Sequence, residues 1–242
     1  MPPLRAEAEV SQVPTGSDRR SPLDRDRVVR AAIELIDEQG VHALSMRRLG
    51  RRLDVEAMAL YGYVQSRENL LDGVIAAIVD DLFDDPDTHL MDTNSWQDYL
   101  VQVASGVRRS ALAHPRVFPL VATRAPEAPW IRPPLRSLRW VESFLASVRG
   151  HGFDDDTAVY TYRAFTSFLL GHLLLEVAAL GGEVGPVPEP ASPDQPGPRL
   201  DDYPNLQQLS SKLADNQSAE EFEESLDNLL NRLDDVLAHG IP

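Results

Sequence analysis

The stretch LSMRRLGRRLDVEAMALYGYVQSRENLL, residues 44–71, decides the fold of the N-terminal region. Ser45 is a favourable N-cap and predicts a short helix over residues 46–53. A turn at Asp54 separates this helix from a second short helix over about residues 56–64. Two short helices at this spacing predict a helix-turn-helix, in which the second helix can enter the major groove of DNA.

The apolar residues of the stretch suit two helices packed at a steep angle. Gly50 permits close approach, and the apolar contact comes from Leu49, Leu53, Val55 and Leu60. Ser66 predicts the N-cap of a longer third helix. Upstream, Asp24 as N-cap and Gly40 as C-terminal stop predict a further helix between them.

Polar side chains of this motif match what DNA binds. The first short helix carries a basic patch: Arg47, Arg48, Arg51 and Arg52. Tyr61 and Tyr63 can donate their hydroxyls to phosphate oxygens, and Ser66 and Arg67 lie at a helix N-terminus, which favours an anion. Arginines on a helix can also form a plain solvated face, and tyrosines can belong to a core. The joint order of these features favours DNA contact.

Strand signals are poor along the whole chain, so the predicted fold class is all-α. Residues 1–22 contain four prolines and few apolar groups, which predicts a disordered arm. Residues 181–204 contain seven prolines and four glycines, which predicts a flexible loop. We therefore expect a DNA-binding domain over residues 23–73 and a second helical domain over residues 74–242.

The composition excludes several classes of protein. The chain has 242 residues, no cysteine and a formal net charge of −15, of which −14 lies in residues 74–242. Disulfides and thiolate metal sites are therefore excluded, and a protein that coats nucleic acid indiscriminately is disfavoured. No apolar run suits a membrane span or a signal peptide, so we expect a cytoplasmic protein without a membrane partner.

The ordered features resemble the DNA-binding region of the TetR family of transcriptional regulators. The run LxxxxVVxAAxELIDEQGxxALSMRRLGRRLDVExMALYxYVxSRxNLLD, which begins at Leu23, is close to the family's form. The C-terminal segments SWQDYL (95–100), LAHPRVFPL (112–120), GFDDDTA (152–158) and LLGHLLLE (169–176) resemble, in that order, the tetracycline-repressor-type ligand domain. The resemblance implies a ligand-binding and dimerisation domain over residues 74–242. It also implies a homodimeric repressor released from a palindromic double-stranded operator by a small-molecule inducer.

The resemblance further implies DNA contacts at nine residues of the motif: Ser45, Arg47, Arg48, Ala57, Met58, Tyr61, Tyr63, Ser66 and Arg67. Arg47 is expected at a base edge, and Arg48 at a base or a phosphate. Ala57 and Met58 lie at the start of the recognition helix and can contact a thymine methyl group. The remaining residues are expected at phosphates.

The ligand pocket is expected among residues that are equally compatible with plain core: Val103, Val107, Phe144, Tyr162 and Thr166. Tetracycline repressors bind a drug–magnesium chelate. In an ungapped comparison, Val121 occupies the position of their metal-binding histidine, and Arg124 that of a drug-binding threonine. We therefore expect an apolar inducer, with no metal and no cofactor. The operator and the inducer stay unidentified, and activation stays open beside repression.

A dimer surface is predicted on the last helix, where an apolar stripe repeats at helical spacing: Phe222, Leu226, Leu229, Leu230, Leu233 and Leu237. Packed with the apolar helix over about residues 157–179 and doubled, it would give a four-helix interface, as in the family. The alternative is that the stripe faces only its own core.

Two other functional classes compete with a DNA-binding regulator. An enzyme has little support, because the sequence contains no phosphate-binding glycine loop, no Gly-x-Ser-x-Gly elbow and no His-Glu-x-x-His motif. A helical small-molecule carrier or protein-binding module without DNA function would explain the C-terminal helices. It would leave the arginines and tyrosines of residues 44–71 without a use.

Overall fold

The structure is a computed structural model and describes residues 22–84, 95–124, 128, 130–133, 137–185 and 202–240. Within these ranges the chain forms ten α-helices and no strand, which confirms the all-α prediction. The helices are α1 (Arg25–Gln39), α2 (Met46–Leu53), α3 (Ala57–Leu60), α4 (Arg67–Asp84), α5 (Trp96–Ala113), α6 (Phe118–Thr123), α7 (Leu138–Gly150), α8 (Asp155–Ala179), α9 (Pro204–Ala214) and α10 (Ser218–His239). The predicted arm, apart from Pro22, and most of the predicted 181–204 loop lie outside the described residues.

Helices α1–α3 and the first half of α4 form the N-terminal head. Helix α1 begins and ends where its caps predict: Asp24 Oδ1 accepts from the Arg27 amide at 2.7 Å, and Gly40 takes a positive φ of 81°. Ser45 Oγ accepts from the Arg48 amide, so α2 begins as predicted. Asp54 adopts the left-handed turn conformation that follows α2, with φ 58° and ψ 44°.

The recognition helix α3 is shorter than the predicted 56–64. It ends at Leu60, and the amides of residues 61–63 then donate to carbonyls three residues back, at 2.9–3.3 Å. The chain thus tightens into 3₁₀-type turns around Gly62, a residue with poor helix propensity. Val64 is again buried and joins the core of the head.

Gly50 sets the close approach of α2 to the turn before α3. A Cβ atom there would lie 2.7 Å from the backbone oxygen of Val55 and 3.2 Å from the amide nitrogen of Ala57. The Val55 amide donates to the Gly50 oxygen at 2.9 Å. The predicted role of this glycine is therefore confirmed by the contact geometry.

The C-terminal domain is a bundle of α5, α7, α8 and α10 around an aromatic core. Phe144 stacks on Phe165 with ring centroids 5.5 Å apart, and Tyr99 and Tyr162 pack against Phe144. Burial raises the pKa of Tyr162 to about 12, and its neutral hydroxyl donates to the Pro133 oxygen at 2.9 Å.

The apolar stripe of α10 faces its own chain. Phe222, Leu226, Leu230 and Leu233 are buried in the C-terminal core, and Leu229 and Leu237 pack against it while keeping part of their surface exposed. The outer face of α10 is polar and mostly acidic. This corrects the predicted direction of the stripe, because an apolar repeat shows that a face is buried without showing which chain buries it.

The head and the C-terminal domain meet at the C-terminal end of α1. His114 Nδ1 lies 2.6 Å from Asp37 Oδ2, and Arg116 donates to the Glu38 oxygen at 2.7 Å. Val117, which follows α5, is fully buried in the core of the head. Besides the continuous helix α4, these contacts join the two parts of the molecule.

Candidate DNA-binding surface and ligand cavity

Helices α2 and α3 present a cluster of exposed side chains on the head. Met58 is 76% exposed, Tyr61 45% and Tyr63 37%. Arg47 and Arg51 are exposed, and neither makes a hydrogen bond or ion pair within the described part of the chain. These side chains are free to contact another molecule.

The other two arginines of α2 bond to their own chain. Arg52 donates to the carboxylates of Glu34 and Glu38 at 2.8 Å, which ties α2 to α1. These hydrogen bonds raise the pKa of Arg52 and lower the pKa of Glu38. Arg48 makes two longer contacts, each 3.4 Å, to the side chain of Gln39 and the backbone oxygen of Ala43.

Arg67 differs from its expected role as a phosphate contact. Its Nε donates to the Leu44 oxygen at 3.2 Å, and its Nη2 to the Val41 oxygen at 3.1 Å. Both carbonyls lie in the turn between α1 and α2, and a guanidinium can donate to a carbonyl oxygen as well as to a phosphate oxygen. In this structure Arg67 therefore fastens α4 to the start of the helix-turn-helix.

The two serines predicted at phosphates both act as helix caps. Ser45 Oγ lies 3.3 Å from the Arg48 amide, and Ser66 Oγ accepts from the Asn69 amide at 3.0 Å. Both residues are exposed. A cap role leaves the hydroxyl proton available to a phosphate oxygen, so both roles are compatible.

A cavity of about 50 Å³, partly open to solvent, lies between α4 and α8. Helix α4 contributes Ile75, Ile78, Val79 and Leu82 to its wall; the other lining residues are Val107, Ser110, Phe118, Val121, Ser137, Trp140, Thr166, Leu169 and Leu170. None of these residues is charged, and hydroxyls come only from the two serines and Thr166. An apolar molecule with few polar groups fits such a wall.

Two of the five predicted pocket residues line this cavity, Val107 and Thr166. Val103, Phe144 and Tyr162 are instead buried in the neighbouring core, where Phe144 makes three aromatic contacts. Sequence reasoning missed the wall formed by α4. The signal was present, because residues 75, 78, 79 and 82 are apolar at helical spacing.

Comparisons with known proteins now add to this geometry. The family model described as "Bacterial regulatory proteins, tetR family" matches residues 28–74, and that described as "Tetracyclin repressor-like, C-terminal domain" matches residues 90–237. The chain belongs to the TetR family. It is therefore a ligand-responsive DNA-binding transcriptional regulator.

Relatives agree with this assignment. An "HTH-type transcriptional regulator" of Saccharopolyspora erythraea is 29% identical over 67% of this TetR-family chain and 65% of its own length. The class D tetracycline repressor of Escherichia coli is 30% identical over 74% of this chain and 76% of its own. The chain thus spans about two thirds to three quarters of these relatives.

Among solved structures, a possible TetR family transcriptional regulator from Streptomyces coelicolor A3(2) superposes with a TM-score of 0.67 and 28% identity. The match covers 88% of this chain and all of the other. Among the described residues of this TetR-family chain, no helix is both long and apolar enough to cross a membrane.

Proposed function

We propose that this TetR-family regulator is a repressor that binds a palindromic operator as a dimer and leaves it when an apolar molecule fills the cavity. The observation that best supports this proposal concerns α4. Its first residue, Arg67, is hydrogen-bonded to the start of the helix-turn-helix, and residues further along the same helix line the cavity. A carrier without DNA function would have no use for this connection.

The DNA-contacting residues are assigned on exposure and free donors. Arg47 and Arg51 have unused guanidinium donors, suited to base edges or phosphates, and the exposed Met58 suits a thymine methyl group. Tyr61 and Tyr63 offer hydroxyls to phosphates. Ala57, Ser45, Ser66 and Arg48 stay in the proposed contact set, whereas Arg67 is assigned to holding the head together.

The coupling runs through α4. A ligand that presses on Ile78, Val79 or Leu82 displaces this helix and, through Arg67, the helix-turn-helix. Two recognition helices of a dimer match an operator only when they lie one helical turn apart, roughly 34–36 Å. A shift of α4 in each protomer therefore lowers operator affinity.

The dimer surface is assigned to α8. Its outward stripe has Val159 and Leu175, which are 41% and 76% exposed, with Arg163 and the small residues Ser167 and Gly171 between them. The apolar and small residues of this stripe let a second copy of the helix pack closely. We further propose that the protein acts in the cytoplasm and catalyses no reaction.

Binding-site selection from a random-sequence DNA pool tests the function, with Arg47→Ala as the informative variant. We expect an enriched palindrome for the wild type. Arg47→Ala should weaken binding and flatten the slope of log affinity against log salt by about 1 per protomer if Arg47 contacts a phosphate. If it contacts a base, specificity should relax at one position in each half-site.

The matched control is Arg149→Ala, an exposed arginine at the end of α7 and outside the head. It should leave the selected sequence and the salt slope unchanged. Failure of the wild type to enrich any palindrome, after refolding without ligand, would contradict the proposal.

A further inference from the structure

A charged surface depression adjoins the uncharged cavity, and we take this depression as the mouth of the cavity. It shares Ile75, Val79 and Ser137 with the cavity and is bordered by two arginines and two aspartates: Arg25, Arg139, Asp72 and Asp80. A ligand that enters between α4 and the start of α7 passes these side chains.

The pairing of these charges leaves the arginines with spare donors. Asp72 accepts from Arg124 at 2.9 Å, and Asp80 accepts from Arg139 Nη1 at 2.6 Å. Arg25 makes no hydrogen bond or ion pair within the described residues. A guanidinium has five N–H donors, so Arg139 retains capacity beyond its bond to Asp80. The mouth can therefore bind an anion through Arg25 and Arg139.

Arg139 is linked to the cavity wall through two aromatic rings. Its guanidinium carbon lies 4.3 Å from the centre of the Phe83 ring, and Phe83 meets Trp140 edge-on at 6.1 Å. Trp140 itself lines the cavity. A ligand seated against Trp140 is thus close in the fold to the arginine at the mouth.

Resting on the proposed function, we propose that the ligand is an apolar molecule with one anionic group, such as a carboxylate. Its body fills the cavity, and Arg139, with Arg25, binds the anionic end. A carboxylate on the spare donors of Arg139 competes with Asp80, which belongs to α4, for the same positive charge, and the two carboxylates repel each other. Ligand binding therefore weakens a tie between α7 and α4 and loosens the helix that leads to the head.

The acidic character of the domain opposes this binding only at long range. The effect of the −14 formal charge of residues 74–242 on a ligand is screened beyond about 8 Å at physiological ionic strength. Charge-assisted hydrogen bonds to a guanidinium act at contact distance, where screening is weak. Hydrogen bonds between the arginines at the mouth and the anionic group of the ligand therefore determine which end of the ligand binds there.

Two fluorescent probes with the same apolar body test the inference: 8-anilinonaphthalene-1-sulfonate, which is anionic, and N-phenyl-1-naphthylamine, which is neutral. Both should bind the wild type and displace each other. Arg139→Gln should weaken the anionic probe by about tenfold, in line with a lost charged hydrogen bond, and leave the neutral probe within twofold.

Asp80→Asn should act in the opposite direction. It removes the competitor for Arg139 and should strengthen the anionic probe several-fold without changing the neutral one. The control Arg149→Gln, at the far end of α7, should change neither affinity, and Val107→Trp, which fills the cavity, should remove both.

The outcomes separate two failures. If both probes bind and displace each other but Arg139→Gln and Asp80→Asn leave their affinity ratio unchanged, the anionic specificity is overturned and the apolar cavity stands. If neither probe binds the wild type, the apolar-ligand part of the proposed function is overturned as well.

Discussion

The head and the C-terminal domain are packed in opposite ways around the same helix. At its N-terminal end, α4 is fastened by Arg67, and Leu70, Leu71 and Val74 are buried in the core of the head. Further along, the same helix borders a cavity of about 50 Å³. Native cores seldom leave such space, because each lost contact lowers stability.

This difference fits the separate roles of the two regions. A DNA-binding surface must hold its side chains in one geometry. The head does so through the close contact at Gly50, the helix caps Ser45 and Ser66, and the hydrogen bonds of Arg67. A sensing domain must have more than one arrangement, and an apolar void gives a ligand something to fill. The C-terminal domain also exposes Val159 and Leu175 on α8, the surface that we propose for dimerisation.

The largest expected effect comes from breaking that exposed stripe. Leu175→Glu would place a charge from each protomer on the α8 surface, and an unpaired charge at an interface costs several kcal/mol. We expect a monomer in analytical ultracentrifugation and operator affinity reduced by about 100-fold or more, because one head reads only half a site.

The control for this variant is Val101→Glu, an exposed apolar position on α5, which should stay dimeric. A dimer that survives Leu175→Glu with normal operator binding would move the interface away from this part of α8.

The tight packing of the head can be tested by filling its closest contact. Gly50→Ala brings a methyl group within 2.7 Å of the Val55 backbone oxygen, which cannot move without distorting the turn. Overpacking of this kind costs about 1–3 kcal/mol. Urea unfolding should show that loss, and operator affinity should fall because α3 is re-aimed.

Gly62→Ala is the matched control in the same motif. A Cβ atom there meets only the Ala59 oxygen at 3.4 Å, an ordinary contact distance. We expect this variant to keep wild-type stability or exceed it slightly. Equal losses of stability in the two variants would show that the close contact at Gly50 does not determine the packing of the head.

The sequence predicted the local features of the head better than the cavity of the C-terminal domain. Caps at Asp24, Ser45 and Ser66 were found because a cap needs only a neighbour three residues away, and all three make the expected hydrogen bond. The cavity was harder to predict, since it is a gap between five helices, and no local pattern marks the absence of atoms.

Two assignments show what local chemistry leaves open. The α10 stripe was expected at a second copy of the chain and packs in its own core, and Arg67, expected at a phosphate, donates to two carbonyls of its own chain. An apolar face or a guanidinium indicates the chemistry of the surface that it contacts. It does not indicate whether that surface belongs to the same chain, another copy or DNA. The family resemblance supplied an answer that the local chemistry leaves open.

The smallest expected effect lies at the junction of the two regions, where His114 at the end of α5 meets Asp37 on α1. The hydrogen bond to Asp37 raises the pKa of His114, and the nearby Asp81 on α4 acts in the same direction, against partial burial. A histidine whose pKa is raised on folding adds stability that is fully present below its unfolded pKa, about 6.5. That stability is lost as pH rises through the folded pKa.

His114→Gln should therefore destabilise the protein at pH 6 by about 1 kcal/mol or less, since both side chains are partly exposed, and by much less at pH 9. Urea unfolding at the two pH values measures this difference, with His239→Gln, at the exposed end of α10, as a variant that should show no pH-dependent loss. The pair joins the head to the C-terminal domain. We therefore expect His114→Gln to change the ligand-induced dissociation of the protein from DNA more at pH 6 than at pH 9. If His114→Gln lowered the free energy of unfolding equally at both pH values, the pair would contribute through packing alone. The charge of His114 would then not contribute to the junction.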